Sequence, residues 1–196
     1  MRALVVYESL YGNTAAIAAE VAAGLGDAGM DVEASNVDDI APGKGSGGDV
    51  LVVGGPTHAH GMTRATTRMT AVQDRKNTYD DPTVGEGLRA WLGELAPVDG
   101  CPAAAFDTRI DIPRFLSGAA SKGIAAGLIA RGFSLVTPGE SFLVTKTNEL
   151  VDGELARARA WGLSIGNAIA PPTSSTTASS SPKDSGRGRV EELVDR

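Results

Sequence analysis

The sequence predicts a doubly wound α/β sandwich on a five-stranded parallel sheet, and three observations predict it. Apolar runs alternate with helix-forming stretches in β-then-α order along most of the chain. The run Val50-Leu51-Val52-Val53 is apolar on both faces, as a strand covered by helices on both sides must be. The first apolar strand feeds an alanine-rich helix through a short loop of small and hydroxyl-bearing residues, Ser9-Leu10-Tyr11-Gly12-Asn13-Thr14.

The elements follow in order. Strand one covers about Arg2 to Tyr7, and helix one about Asn13 to Ala28, stopped near Gly26 and Gly29. Met30 to Asn36 alternates as a second strand, and Pro42 to Gly48 is a turn-rich link. Asp49 to Gly54 is the third strand, expected to stop at Gly54-Gly55-Pro56. An irregular segment from Thr57 to Gly85 follows, a length that usually marks a functional loop. Gly85 to Leu95 reads as a helix with Leu88 and Trp91 on its buried side, and Pro102 to Phe106 as the fourth strand. A helix over Ser117–Arg131 takes Ser117 as its N-cap. Phe133 to Thr145 supplies a fifth strand region containing Pro138 and Gly139, and Glu154 to Ala168 closes the fold with Trp161. Residues 1–170 make one domain. The Ser/Thr/Pro-rich and charged segment 171–196 is expected to be a disordered tail, in which Val190 to Val194 could form a helical turn.

Composition narrows the function classes. The chain has 196 residues, 42% hydrophobic and 21% charged, with a net charge of −6, so no general attraction to nucleic acid is expected. A single cysteine, Cys101, excludes an intramolecular disulfide and an all-cysteine metal site. No apolar run approaches the ~20 residues of a membrane helix. The apolar run at the start ends at Tyr7-Glu8 with no small-residue cleavage site, so it reads as a core strand rather than a signal peptide. A cytoplasmic protein fits best.

Ligands of doubly wound sheets bind beyond the carboxyl ends of the strands, so the loops Glu8–Thr14, Gly54–Thr63 and Asp107–Gly118 carry the functional information. The first loop is an anion cradle: unpaired N–H groups at a helix N-terminus, the helix dipole, hydroxyls of Ser9 and Thr14, and Gly12 for close backbone approach. It lacks the G-x-G-x-x-G of a dinucleotide fold, and the chain has no G-K-[ST] of a nucleotide loop. No aspartate ends strand three, as a phosphoacceptor would, and Cys101 lies far from the first loop, unlike a low-molecular-weight phosphatase nucleophile.

The segment Val5-Val6-Tyr7-Glu8-Ser9-Leu10-Tyr11-Gly12-Asn13-Thr14 resembles the flavodoxin FMN-phosphate signature. Gly54-Gly55-Pro56-Thr57-His58-Ala59-His60-Gly61 and Ala105-Phe106-Asp107-Thr108-Arg109 fall where that family places its two ring-flanking loops. The resemblance implies a flavodoxin-like three-layer sandwich of strand order 2-1-3-4-5, in its short-chain form, with bound FMN. Ser9, Tyr11, Gly12, Asn13 and Thr14 would hold the 5′-phosphate. Pro56, Thr57, His58, Ala59, His60 and Gly61 would line the flavin edge, and Asp107, Thr108 and Arg109 would approach its pyrimidine side. It implies electron transfer between protein partners. The alternatives are an NAD(P)H-dependent quinone-type reductase and a flavin-less interaction module.

Two departures from the family bear on that choice. The second and third loops have no Trp or Tyr to sandwich the ring; His58, His60, Phe115 and Tyr11 are the nearest substitutes. The loops also carry Arg64, Arg68, Arg75, Lys76, Arg109 and Arg114, where electron-carrier flavodoxins are acidic. Positive charge there favours an anionic reduced ring, an anionic partner or a pyridine-nucleotide phosphate. His58 and His60 are the only histidines, and on an extended segment their spacing points both rings the same way. They are the candidates for proton donation to a reduced quinone. No third ligand accompanies them, so no metal site is expected.

Overall fold

Alternation in the central strands decides where each helix packs. In β1 (Arg2–Tyr7), Leu4 and Val6 face one side and Ala3 and Val5 the other. The same split runs through β3 (Val50–His58) and β5 (Pro102–Ile110): Leu51, Val53, Ala103 and Ala105 join the first side, and Val50, Val52, Ala104 and Phe106 the second. Helices α3 (Gly87–Glu94) and α5 (Ala120–Ala130) cover the first side through Leu88, Trp91, Leu92, Ile124 and Leu128. Helices α1 (Asn13–Asp27) and α6 (Glu154–Ile169) cover the second through Ile17, Val21, Leu25, Ala158 and Ile165. The result is a three-layer sandwich with a core on each face. The computed structural model describes residues 1–41, 45, 47–58, 60–73 and 86–170. The expectations for Pro42 to Lys44, Ala59, Arg75, Lys76 and the tail 171–196, with its helical turn, lie outside the described residues.

The central strands are parallel in the order β2-β1-β3-β5, where β2 spans Asp31–Asn36. The last position is shared by β6 (Ser134–Leu135) and β7 (Glu140–Val144), both parallel to β5. Counted by position, this is the expected order 2-1-3-4-5. The fifth position is broken because Ala103 faces Leu135 whereas Phe106 faces Glu140, so extra residues bulge out around Pro138, which has no N–H to give.

Other boundaries shift for local reasons. Strand β3 does not stop at Gly54 but pairs through Pro56 with Thr108 of β5. Gly54 continues the sheet because a Cβ there would lie 2.0 Å from the Phe106 ring, which fills that space. The segment after His58 is not wholly irregular: β4 (Gly61–Met62) pairs back on β3, and α2 spans Ala65–Gln73. The expected helix over Ser117–Arg131 is two helices, α4 (Arg114–Ser117) and α5, separated by Gly118 at φ 74, and the residue capping α5 is Ala119 rather than Ser117. Helices α1 and α6 meet backbone to backbone: a Cβ on Gly24 would strike the Arg159 carbonyl, and one on Gly162 the Val21 carbonyl. Among the described residues no helix is long and apolar enough to cross a membrane.

Candidate functional site

The first loop forms the expected cradle. Gly12 caps α1 at φ 88, a left-handed conformation that requires glycine although a Cβ would meet nothing within 4 Å. Helix geometry leaves the N–H groups of the first turn without helical acceptors. Ser9 Oγ accepts from one of them, Ala15 N, at 3.2 Å, which folds the loop over the helix end. Thr14 Oγ1 lies 2.7 Å from Thr108 Oγ1, so the first and third loops share a buried hydroxyl pair. Asn13 Nδ2 donates to the carbonyl and side-chain oxygens of Asn148 at 3.0 and 3.1 Å, bringing in the turn after β7.

The second loop is a tight reversal. Thr57 pairs with Met62 and His58 with Gly61, so His58 ends one strand before the chain turns back. His58 lines the cleft, with its ring centroid 6.5 Å from that of Tyr11 and an interplanar angle of 38°. Burial holds its pKa below 6.5, because the charged ring would lose its hydration. His60 is exposed, at φ 72, and bridges to Gly118 of the third loop. The two histidines therefore do not present a common face, because the segment reverses instead of running extended. A further tie, Ala120 N to Thr57 Oγ1 at 2.8 Å, stitches the second loop to the start of α5.

Between these loops lies a cleft of about 220 Å³ at the carboxyl ends of β1, β3, β5 and β7. Of the residues expected to bind, Tyr11, Asn13, Thr14, Pro56, Thr57, His58, Thr108 and Arg109 line it. Ser9 and Gly12 shape the cradle from behind, while His60 and Gly61 belong to the reversal. Asp107 is placed elsewhere than expected: it is fully buried on the α5 side and accepts from Ser121 N at 2.8 Å. It alternates with Thr108 along β5, so when Thr108 reaches Thr14, Asp107 must face the other layer. Burial raises its pKa above 3.8, against the opposing pull of Ser121, Ser141 and Arg114. Phe115, an expected ring partner, points outward on α4 and is 82% exposed.

Glu8, between the first strand and the cradle, is buried and accepts from Thr63 Oγ1 at 2.6 and 2.7 Å and from Leu88 N at 3.1 Å. Buried Arg68 approaches it at 4.0 Å. This cluster fastens β4, α2 and α3 to the end of the sheet. Sequence reasoning missed the fourth wall of the cleft, Val144, Thr145, Lys146 and Asn148, and also Leu10, Ile110 and Ser117. The signal was the polar turn Thr145-Lys146-Thr147-Asn148 at the carboxyl end of a parallel strand, where a ligand loop belongs.

The site thus offers a glycine-capped helix N-terminus, an aromatic wall of Tyr11 and His58, and hydroxyls from four loops. No carboxylate lines it among the described residues. Such a donor set fits a phosphorylated planar heterocycle, and it lies beyond the carboxyl ends of the strands, where doubly wound proteins bind their ligands. The flavodoxin family model matches residues 5–92, which contain the first two cleft loops. The fold matches a flavodoxin from the domain Archaea, with 21% identity and a TM-score of 0.60 over 86% of this chain and 99% of that one. It also matches flavodoxin 1 of Bacillus cereus, with 16% identity and a TM-score of 0.61 over 85% and 98%. The flavodiiron core of Synechocystis Flv1 matches with 18% identity and a TM-score of 0.57, over 86% of this chain and 36% of that one. No protein of curated function matches the chain. The chain is flavodoxin-like, in its fold and in the sequence of its first half.

Proposed function

We propose that this protein binds FMN non-covalently in the cleft and passes electrons between protein partners in the cytoplasm. The observation that carries the reading is the glycine-capped cradle at the α1 N-terminus opening onto the Tyr11–His58 wall. FMN would supply the one- and two-electron chemistry. The residues would do the rest. The first-turn N–H groups of α1, Asn13 and Thr14 would hold the 5′-phosphate through neutral donors and the helix dipole. Tyr11 and His58 would cover the ring, Pro56 and Thr57 would form its edge, and Thr108 and Arg109 would meet the pyrimidine side. Family match and fold support this assignment.

A second reading is an FMN-dependent reductase that takes electrons from NAD(P)H and gives them to a small acceptor such as a quinone. It is favoured by two cations, Arg109 and Lys146, in a cleft without a Trp to enclose the ring. Reconstitution with FMN followed by anaerobic titration separates the two. A bound flavin that stays oxidised with NADH and NADPH but is reduced by a one-electron protein donor supports the carrier. Bleaching by a pyridine nucleotide supports the enzyme. Failure to quench FMN fluorescence would remove both and leave an interaction module.

A further inference from the structure

The cleft's charge is one-sided in a protein of net charge −6: Arg109 and Lys146 line it, and among the described residues no acid does. The structure sorts the cations that crowd this end of the chain. Arg68 is buried beside Glu8 and donates to the Glu86 carbonyl at 2.7 Å. Arg114 Nη2 is held by Ser141 Oγ at 3.1 Å, Ser121 Oγ at 3.3 Å and the Gly139 carbonyl at 3.5 Å, on the layer that also holds Asp107. Arg64 is exposed and does not line the cleft.

Arg109 differs from these in lining the cleft itself. Its Nη1 donates to the Ile112 carbonyl at 2.7 Å and to the Ile110 carbonyl and Ser117 Oγ at 3.3 Å. Every one of these acceptors is uncharged. Its Nε is enclosed without an acceptor. The guanidinium is therefore immobilised at the cleft wall by neutral groups, and among the described residues no carboxylate pairs with it. Asp107, two residues earlier, is engaged at the start of α5. A fixed, partly desolvated cation without a counter-ion favours any ligand state that brings negative charge next to it.

Resting on the FMN reading, we propose that Arg109 sets the redox preference of this site by binding reduced FMN more tightly than oxidised FMN. Two electrons from a reductant such as dithionite or a donor protein, with one proton from solvent, would turn the neutral ring of bound FMN into an anion whose charge lies on the pyrimidine side. Arg109 interacts with that charge and has nothing comparable to meet in the oxidised ring. Lys146 lines the cleft from the turn whose Asn148 is tied to Asn13 of the cradle, and the phosphate held there would carry the same charge in both redox states.

The test measures dissociation constants for oxidised and dithionite-reduced FMN, anaerobically, in wild type, Arg109→Gln, Arg109→Lys and Lys146→Gln. In Arg109→Gln the loss should be about tenfold greater for reduced than for oxidised FMN, equivalent to about 30 mV for a two-electron couple. Arg109→Lys should restore most of that ratio, and Lys146→Gln should leave it unchanged while weakening FMN in both states. An unchanged ratio in Arg109→Gln overturns the proposal, and so does an equal change in Lys146→Gln. Wild-type protein that binds neither FMN nor riboflavin overturns the FMN reading itself and this inference with it. Should the Arg109 variants not fold, the wild type decides. Its reduced flavin should remain anionic to a pH roughly one unit below that of free reduced FMN, and protonation at the same pH as free reduced FMN overturns the assignment.

Discussion

Replacing Gly54 by alanine tests how the core between the sheet and α1 and α6 is packed. The new Cβ would lie 2.0, 2.3 and 2.4 Å from three carbons of the Phe106 ring, its register partner on β5. Carbon atoms in contact stand about 3.5–4.0 Å apart, so the ring must retreat by about 1.5 Å. It has nowhere to go: Phe106 is fully buried, and its ring lies edge-on to both Phe142 and Trp161 with centroids 6.0 Å away. Overpacking of this kind costs about 1–3 kcal/mol, and three coupled rings put Gly54→Ala in the upper half of that range. With a urea m-value of about 2 kcal/mol per M, the midpoint should fall by about 1 M. Phe106→Leu removes the atoms that clash. A double-mutant cycle should therefore show the two substitutions compensating by about 1–2 kcal/mol. If Gly54→Ala costs under about 0.5 kcal/mol, or the two changes simply add, the packing argument is wrong.

Thr14→Val should weaken FMN by about 1.5–3 kcal/mol, the value of a hydrogen bond to a charged group, while riboflavin, which lacks the phosphate, binds as before. Fluorescence titrations with both ligands would show it, and equal losses would contradict the phosphate assignment. Glu8→Gln leaves Arg68 buried without its carboxylate and should cost about 3 kcal/mol in chemical denaturation, the low end for a broken buried pair given the 4.0 Å separation. A cost near zero would mean that Thr63 and Leu88 N alone hold the cluster. Asp107 has a pKa raised by burial, so the native state binds its proton more tightly than the unfolded chain. That contribution is fully present below 3.8 and is lost as pH rises through the raised value. Asp107→Asn keeps an acceptor for Ser121 N, so stability of the variant relative to wild type should climb as pH rises from about 4 and then level off. A pH-independent difference across the acid range would count against a desolvated carboxylate.

Several features were legible because they are local. Apolar runs and helix-forming stretches in βα order leave few topologies, so the parallel sheet followed, while its strand order came from the resemblance of the loops to flavodoxins. The cradle was legible for the same reason, since a glycine cap and a helix N-terminus are written in consecutive residues. Where the reading failed, a partner distant in sequence decided the outcome. Glu8 meets Leu88 N, 80 positions on, and Asn13 meets Asn148, 135 positions on, so neither the fastening of α3 nor the fourth wall of the cleft could be read from neighbouring residues. Asp107 lay in the right loop, but strand alternation sends it to the α5 layer once Thr108 is committed to Thr14.

By itself, then, the sequence determined the layered sheet, the glycine-capped helix end and three of the four loops that converge on it, because backbone periodicity and capping are properties of adjacent residues. Only the tertiary structure decided which charges face the ligand. Arg68 and Arg114 are drawn into contacts away from the cleft while Arg109 stays fixed at its wall, with no counter-ion among the described residues. The charge of a site depends on which residues are brought within a few ångströms of one another, and that proximity arises only when the layers pack.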